Sequence, residues 1–154
     1  MIDIVDTATR RRMMAGIKSS NTRPELFMRK GLHARGLRYR LGGSGLPGRP
    51  DLVLPKYKVA LFVHGCFWHS HGCSAFKLPT TNVDFWRTKL GANIKRDSAN
   101  VVDLLARGWR VAIVWECDLK VAMRGGSGDL HDTVRDWVMN YDESYKEFTG
   151  EQQQ

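Results

Sequence analysis

Residues 109–117 read WRVAIVWEC. A nearly unbroken apolar run of strand length, without the in-and-out alternation of a half-exposed strand, predicts a strand in a sheet covered on both faces. Upstream, residues 51–54 and 58–63 are two more short runs of apolar and β-branched residues. Pro55 and Lys56 separate them, which predicts a pair of neighbouring strands delivering Asp51 and His64 to the sheet region. Between these runs and 109–117, a helical pattern starts at Asn82 or Asp84. It continues through Phe85, Leu90, Ile94, Val101, Leu104 and Leu105 and stops at Gly108.

Further out, Thr22 with Glu25 three residues later forms a capping-box pattern, Pro24 suits a first helical turn and Gly36 a stop. Residues 6–18 predict an earlier helix, capped by Asp6 or Thr7 and carrying Ala8, Met13, Met14 and Ile17. LGGSGLPGRP at 41–50 reads as a turn-rich connector and RGGSG at 124–128 as a loop. LHDTVRDWVMNY at 130–141 reads as a closing helix with Leu130, Val134, Trp137 and Val138 on one face. The expected fold is α/β, with residues 1–140 as a single domain and 141–154 as a polar tail, of which EFTGEQQQ at 147–154 is expected to fray.

A chain of 154 residues, 42% hydrophobic, is about the size of one domain with a real core. No stretch has the roughly 20 consecutive apolar residues of a membrane span, and MIDIVDTATRRRMM lacks the apolar stretch of a secretory signal. A cytoplasmic protein without membrane attachment is expected, and three cysteines in a reducing compartment argue against a disulfide framework. Formal net charge is +8; between Asp6 and Asp51, Glu25 is the sole acid against eleven Lys and Arg. That placement suits a phosphate backbone, or is a solvated basic face. Asp129, Asp132, Asp136, Asp142, Glu143, Glu147 and Glu151 reverse the sign towards the C-terminus, which is not expected to touch nucleic acid.

HGCFWHSHGC, residues 64–73, concentrates the candidate chemistry. Zinc takes about four thiolate and imidazole ligands in a tetrahedron. Cys66, His71 and Cys73 can come from this one loop, and Cys117, at the end of the predicted 109–117 strand, is brought near if that strand adjoins 58–63. The alternative is buried thiols. A closed four-ligand site would be structural and would leave His64 and His69 over for acid and base work. Asp51, at a strand start after Arg49 and Pro50, is either a turn residue or a carboxylate for Mg²⁺ in phosphodiester hydrolysis.

LPGRPD, HGCFWHxHxC, FWxxKxGxNxxRD (85–97) and GWRVxIVWEC (108–117), in this order and spacing over roughly residues 6–120, resemble the very short patch repair endonucleases of the Vsr type. The resemblance implies a restriction-endonuclease-like fold, a mixed central sheet flanked by helices, and an enzyme that nicks one DNA strand beside the thymine of a T·G mismatch left by deaminated 5-methylcytosine. It implies Asp51 as Mg²⁺ ligand with the backbone carbonyl of Val63, His69 as the base, Asp97 orienting it, and Glu25 and His64 acting around the metal and its waters. It further implies that Phe67, Trp68 and Trp86 enter the base stack from the major-groove side while Met14, on the N-terminal helix, enters from the minor groove. Related restriction nucleases carry a second acid and a lysine on the strand after their aspartate, where Phe62, Val63 and His64 stand here. Family members can have threonine at the position of Val63, a change that a backbone carbonyl survives.

From the residues alone, Trp86 at helical spacing reads as core, whereas the adjacent Phe67 and Trp68 on a tight loop cannot easily share one small core and suit a wedge. Two other readings stand beside the nicking enzyme: a non-catalytic zinc-stabilised DNA-binding module, and a restriction-like nuclease with another target. Mismatched double-stranded DNA is the expected partner, mismatch-repair proteins a further one implied by the family, and a monomer the expected state.

Overall fold

The computed structural model describes residues 22–43, 45–73, 77–125, 129–140 and 142–149. The helix expected over 6–18, with Met14, lies outside the described residues. The first described helix, α1 (Arg23–Ala34), begins as the capping pattern requires. Thr22 is in extended backbone and its hydroxyl accepts from the Glu25 N–H at 3.4 Å, with a proline in the first turn. Past its end, Gly36 takes φ +84°, the left-handed turn that a Cβ would oppose.

Five strands follow, β1 (Arg40–Leu41), β2 (Leu52–Leu54), β3 (Val59–His64), β4 (Arg110–Trp115) and β5 (Tyr145–Phe148), and they lie side by side in that order. β1, β2 and β3 pair antiparallel, while β3–β4 and β4–β5 are parallel. A single 3₁₀ turn, Pro55–Tyr57, joins β2 to β3. The parallel pairing of β3 with β4, from Val59↔Arg110 to His64↔Trp115, needs a crossover, which contains α2 (Val83–Ala106). α3 (Glu116–Met123) and α4 (Leu130–Met139) come after β4.

Alternation along β3 and β4 divides the core in two. Val59, Leu61, Ala112 and Val114 join Met28, Leu32, Leu119, Val134 and Val138 from α1, α3 and α4. Ala60, Phe62, Val111, Ile113 and Trp115 point the other way, towards Leu104, Val101 and Leu105 of α2. The central strands are therefore buried on both faces, as the unbroken apolar run at 109–117 predicts.

Three details differ from the sequence reading. β4 stops at Trp115, so Cys117 sits in the first turn of α3 rather than at a strand end. Glu116 and Asp118 explain the change, because acids favour a helix N-terminus. The stretch expected to be a polar tail carries β5 at the sheet edge, with Phe148 buried against the Trp137 ring. One buried aromatic and a free strand edge outweigh its polar composition. On α2, Leu90 and Leu104 are buried, but Phe85 and Ile94 are 59% and 45% exposed, so the expected stripe is only partly core.

A glycine within α1 gives the first prediction. A Cβ on Gly31 would lie 2.0 Å from Cδ2 of His131, a buried α4 residue whose Nε2 is 2.8 Å from the Phe27 carbonyl. Helix propensity favours alanine over glycine by about 1 kcal/mol. Displacing a packed, hydrogen-bonded ring costs more, about 1–3 kcal/mol for overpacking plus the lost bond. Gly31→Ala should therefore lower the urea midpoint despite the better propensity.

Candidate active site and metal centre

Asp51 directly precedes β2, and its placement follows from the residue before it. Continuing the register Leu52↔Leu61 by two residues sets Pro50 opposite Val63, and a proline has no N–H to offer the ladder. It is thus the Val63 carbonyl that finds no ladder donor there, while the Val63 N–H donates to Asp51 Oδ2 at 2.7 Å, beside a cavity of about 250 Å³. Asp51, Glu25, Val63, His64, His69 and Asp97 all line it. Burial pushes the Asp51 carboxyl up to about 6, the Val63 N–H opposes this, and the nearby Glu25 carboxylate adds to it. Two acids facing one cavity beside a backbone carbonyl make an oxygen-rich donor set. That chemistry fits Mg²⁺. Arg49 lines the same cavity and holds φ +48°, a left-handed conformation rare for a side chain of its size.

His64 ends β3, and the chain then turns tightly through Gly65 to Ser70. The turn folds His69 back over His64, with ring centroids 3.8 Å apart and planes within 4°. His69 Nδ1 meets Asp97 Oδ2 of α2 at 2.5 Å. A carboxylate there favours the tautomer with the proton on Nδ1, which leaves Nε2 able to accept one. His64 is buried, and burial first, then the neighbouring His69, lowers it to about 3, so its ring is neutral near pH 7. His64, His69 and Asp97 bring their ligand atoms within 4.8 Å of one another. Stacked imidazoles nevertheless keep their in-plane lone pairs in two parallel planes, so no one point lies in both ring planes. The trio suits proton transfer better than metal chelation.

The ligand atoms of Cys66, His71, Cys73 and Cys117 likewise all lie within 4.8 Å of one another. The Cys117 Sγ to His71 Nδ1 distance is 3.6 Å, close to the roughly 3.5 Å edge of a tetrahedron built on Zn–S and Zn–N bonds. All three cysteines are free. The Cys66 thiol is pushed up to about 12, chiefly by burial and also by Cys73 and Cys117, with a backbone N–H at Cys117 acting the other way. Buried thiols stay protonated without a cation; a dication reverses this, so the donor set fits zinc. The cluster ties the loop after β3 to the start of α3, and β3–β4 adjacency places it as the sequence reading requires.

Phe67 and Trp68 project from the same turn, both half-buried. Their centroids are 5.0 Å apart, and Trp86 of α2 stands 5.4 Å from Phe67 and 5.9 Å from Trp68. Trp86 also contacts the exposed Phe85 at 5.3 Å. Its surroundings are thus a surface aromatic group rather than the main core, against the reading from helical spacing alone.

Trp115 carries more than strand composition suggests. Its ring stacks on His71 at 4.0 Å and 7° and turns its edge to His64 at 5.2 Å. It separates the two histidine groups and holds both. The pairing His64↔Trp115 would have revealed this once 58–63 and 109–117 were taken as adjacent parallel strands. Asn93 was also passed over: its Nδ2 donates to the Trp68 carbonyl at 2.9 Å.

The sequence profile of the family described as DNA mismatch endonuclease Vsr matches residues 2–75. The chain is 48% identical over 119 residues to the type II nicking enzyme V.XorIIP of Xanthomonas oryzae pv. oryzae, covering 77% of this chain and 88% of that one. It is 40% identical over 138 residues to the DNA mismatch endonuclease Vsr of Escherichia coli, covering 90% and 88%. Against the type II nicking enzyme V.NmeAIP of Neisseria meningitidis it is 44% identical over 120 residues, 78% and 86% of the two chains. Similarity of this extent, spanning the cavity and the cysteine cluster alike, means that the protein belongs to the Vsr family of DNA mismatch endonucleases.

Proposed function

We propose that the protein is a DNA repair endonuclease that nicks one strand beside the thymine of a T·G mismatch by Mg²⁺-dependent hydrolysis, on a restriction-endonuclease-like fold. The observation that carries this reading is the meeting of a His69–Asp97 pair with the Asp51 carboxylate in one cavity, next to a group of half-exposed rings. His69 takes the proton from the attacking water at Nε2, and Asp97 holds the ring and stabilises its charged form. His64, neutral and stacked on His69, keeps that ring from turning. Asp51 and the Val63 carbonyl would hold Mg²⁺, which when bound would neutralise charge building on the phosphate, with Glu25 beside them. Zinc on Cys66, His71, Cys73 and Cys117 would fix the loop that carries His69.

Phe67, Trp68 and Trp86 form the wedge. Opening a base step costs a few kcal/mol, least at a mismatch, and stacking on ring faces returns about 1–3 kcal/mol per base. Met14 is proposed to enter from the opposite groove. The partner is double-stranded DNA, met by a monomer in the cytoplasm, with mismatch-repair proteins as a further partner. Among the described residues no helix is long and apolar enough to cross a membrane.

The test is a strand-labelled duplex carrying one T·G pair, compared with its T·A control in Mg²⁺. Nicking confined to the thymine strand of the mismatched duplex is expected. Equal cutting of both duplexes would reject the repair role, and binding without any cutting would reduce the protein to a zinc-stabilised DNA-binding module.

A further inference from the structure

The face of α2 formed by Trp86, Leu90, Asn93 and Asp97, at helical spacings of four, three and four, meets the loop after β3 at two consecutive residues. Asn93 Nδ2 donates to the Trp68 carbonyl at 2.9 Å, and one turn later Asp97 Oδ2 meets His69 Nδ1 at 2.5 Å. Asn93 is itself oriented: Arg96 Nη2 donates to its Oδ1, which fixes the amide with its nitrogen towards the loop. An asparagine is costly in a helix interior relative to alanine, so its presence here calls for an interaction outside the helix. The carbonyl it grips belongs to the residue whose ring stands 5.9 Å from Trp86.

We infer that Asn93 is a positioning residue for DNA unstacking: through the Trp68 carbonyl, and oriented by Arg96, it sets how the Phe67–Trp68 pair is presented to a base step relative to the His69–Asp97 pair. This rests on the reading of Phe67, Trp68 and Trp86 as a wedge. The carbonyl bond is needed because the loop here is a tight turn. Ser70 holds φ +51°, and the Ser70 N–H donates to the Phe67 carbonyl at 3.2 Å, while the Trp68 carbonyl is met by Asn93. Without Asn93 the peptide at residues 68–69 would keep its neighbours but lose the contact that fixes its rotation. The ring on one side and the imidazole on the other would then drift independently.

Asn93→Asp is the informative substitution. It is nearly isosteric and keeps the Arg96 contact, but it replaces the donor to Trp68 by a carboxylate oxygen that repels the carbonyl. The experiment is a double-substitution cycle with Trp68→Ala, using a T·G duplex with 2-aminopurine beside the mismatch. Emission reports unstacking, titration reports affinity, and single-turnover nicking is followed in parallel. Asn93→Asp should lower the unstacking signal and weaken mismatched-duplex affinity about tenfold, the scale of one lost hydrogen bond. Affinity for the matched duplex should change little. In the Trp68→Ala background the same change should add less than twofold to the affinity loss. Arg96→Ala should act in the same direction but more weakly, and serves if Asn93→Asp fails to fold by circular dichroism. Full additivity of Asn93→Asp with Trp68→Ala, or an equal loss on matched and mismatched duplexes, would overturn the inference. A Trp68→Ala protein that unstacks and binds the mismatch normally would instead reject the wedge itself.

Discussion

Asp51→Asn is expected to abolish nicking, by at least about 10³-fold, while making the metal-free protein more stable. Both effects come from the same burial. The carboxyl is pushed up to about 6 from 3.8 chiefly by desolvation, with Glu25 as a second unfavourable neighbour. A group whose folded pKa is raised binds its proton more tightly in the fold. Its penalty is therefore absent below pH about 4, grows as pH rises from about 4 to 6, and is complete above that. Each unit is worth 1.36 kcal/mol, so the upper bound is about 3 kcal/mol; relaxation and water in an open cavity reduce it to about 1–2 kcal/mol. Asparagine keeps an acceptor for the Val63 N–H and removes the charge. Urea melts in chelator at pH 7 should show the variant more stable than the parent, with the difference vanishing near pH 4. A variant that is less stable at pH 7 would mean that the carboxylate is not paying a desolvation cost in the fold.

Loss of the proposed zinc ligands is expected to have the second large effect. Cys117→Ser removes the one ligand contributed from outside the loop and should reduce bound zinc, about one equivalent per chain by atomic emission in the parent, to well below stoichiometric. Structural zinc contributes folding free energy directly. A loss of about 2–4 kcal/mol would lower Tm by roughly 5–15 °C in a chain of this size. Because Trp115 lies flat on His71, its emission should change as the metal leaves. His69 is two residues from His71, so nicking should fall in step with zinc content even when Mg²⁺ is saturating. Full activity in a zinc-free preparation would show that packing alone holds the loop.

The elements that sequence revealed best are those in which local and tertiary demands agree. Thr22, Pro24, Glu25 and Gly36 mark both ends of α1 because capping is a short-range matter. The unbroken run at 109–117 announced a strand covered twice, and burial on both faces followed. The cysteine cluster was legible because all three cysteines and one histidine met a known ligand preference, and adjacency of two strands did the rest. β5 was not legible. Tyr145, Lys146 and Glu147 are exposed, and only Phe148 is buried, so its strand character comes from the open edge of β4 and not from its own pattern. The exposure of Phe85 was hidden for the opposite reason: an apolar residue at helical spacing reads as core until the helix's neighbours are known. Ranking His69 above His64 needed geometry too. Both lie two residues from a proposed zinc ligand, yet one meets Asp97 and the other is buried with Nδ1 unpartnered among the described residues.

The two grips of α2 on successive loop residues constrain how this family member can change. Residues 93 and 97 face the same way only because about 3.6 residues make a turn. One residue inserted or deleted between them would swing the second grip about 100° around the helix axis, so neither could be rescued by a nearby substitution. Chain length in this stretch is then as fixed as side-chain identity, and drift in it should be confined to point replacements on the opposite, water-facing side, where Lys95 and Ala99 lie exposed.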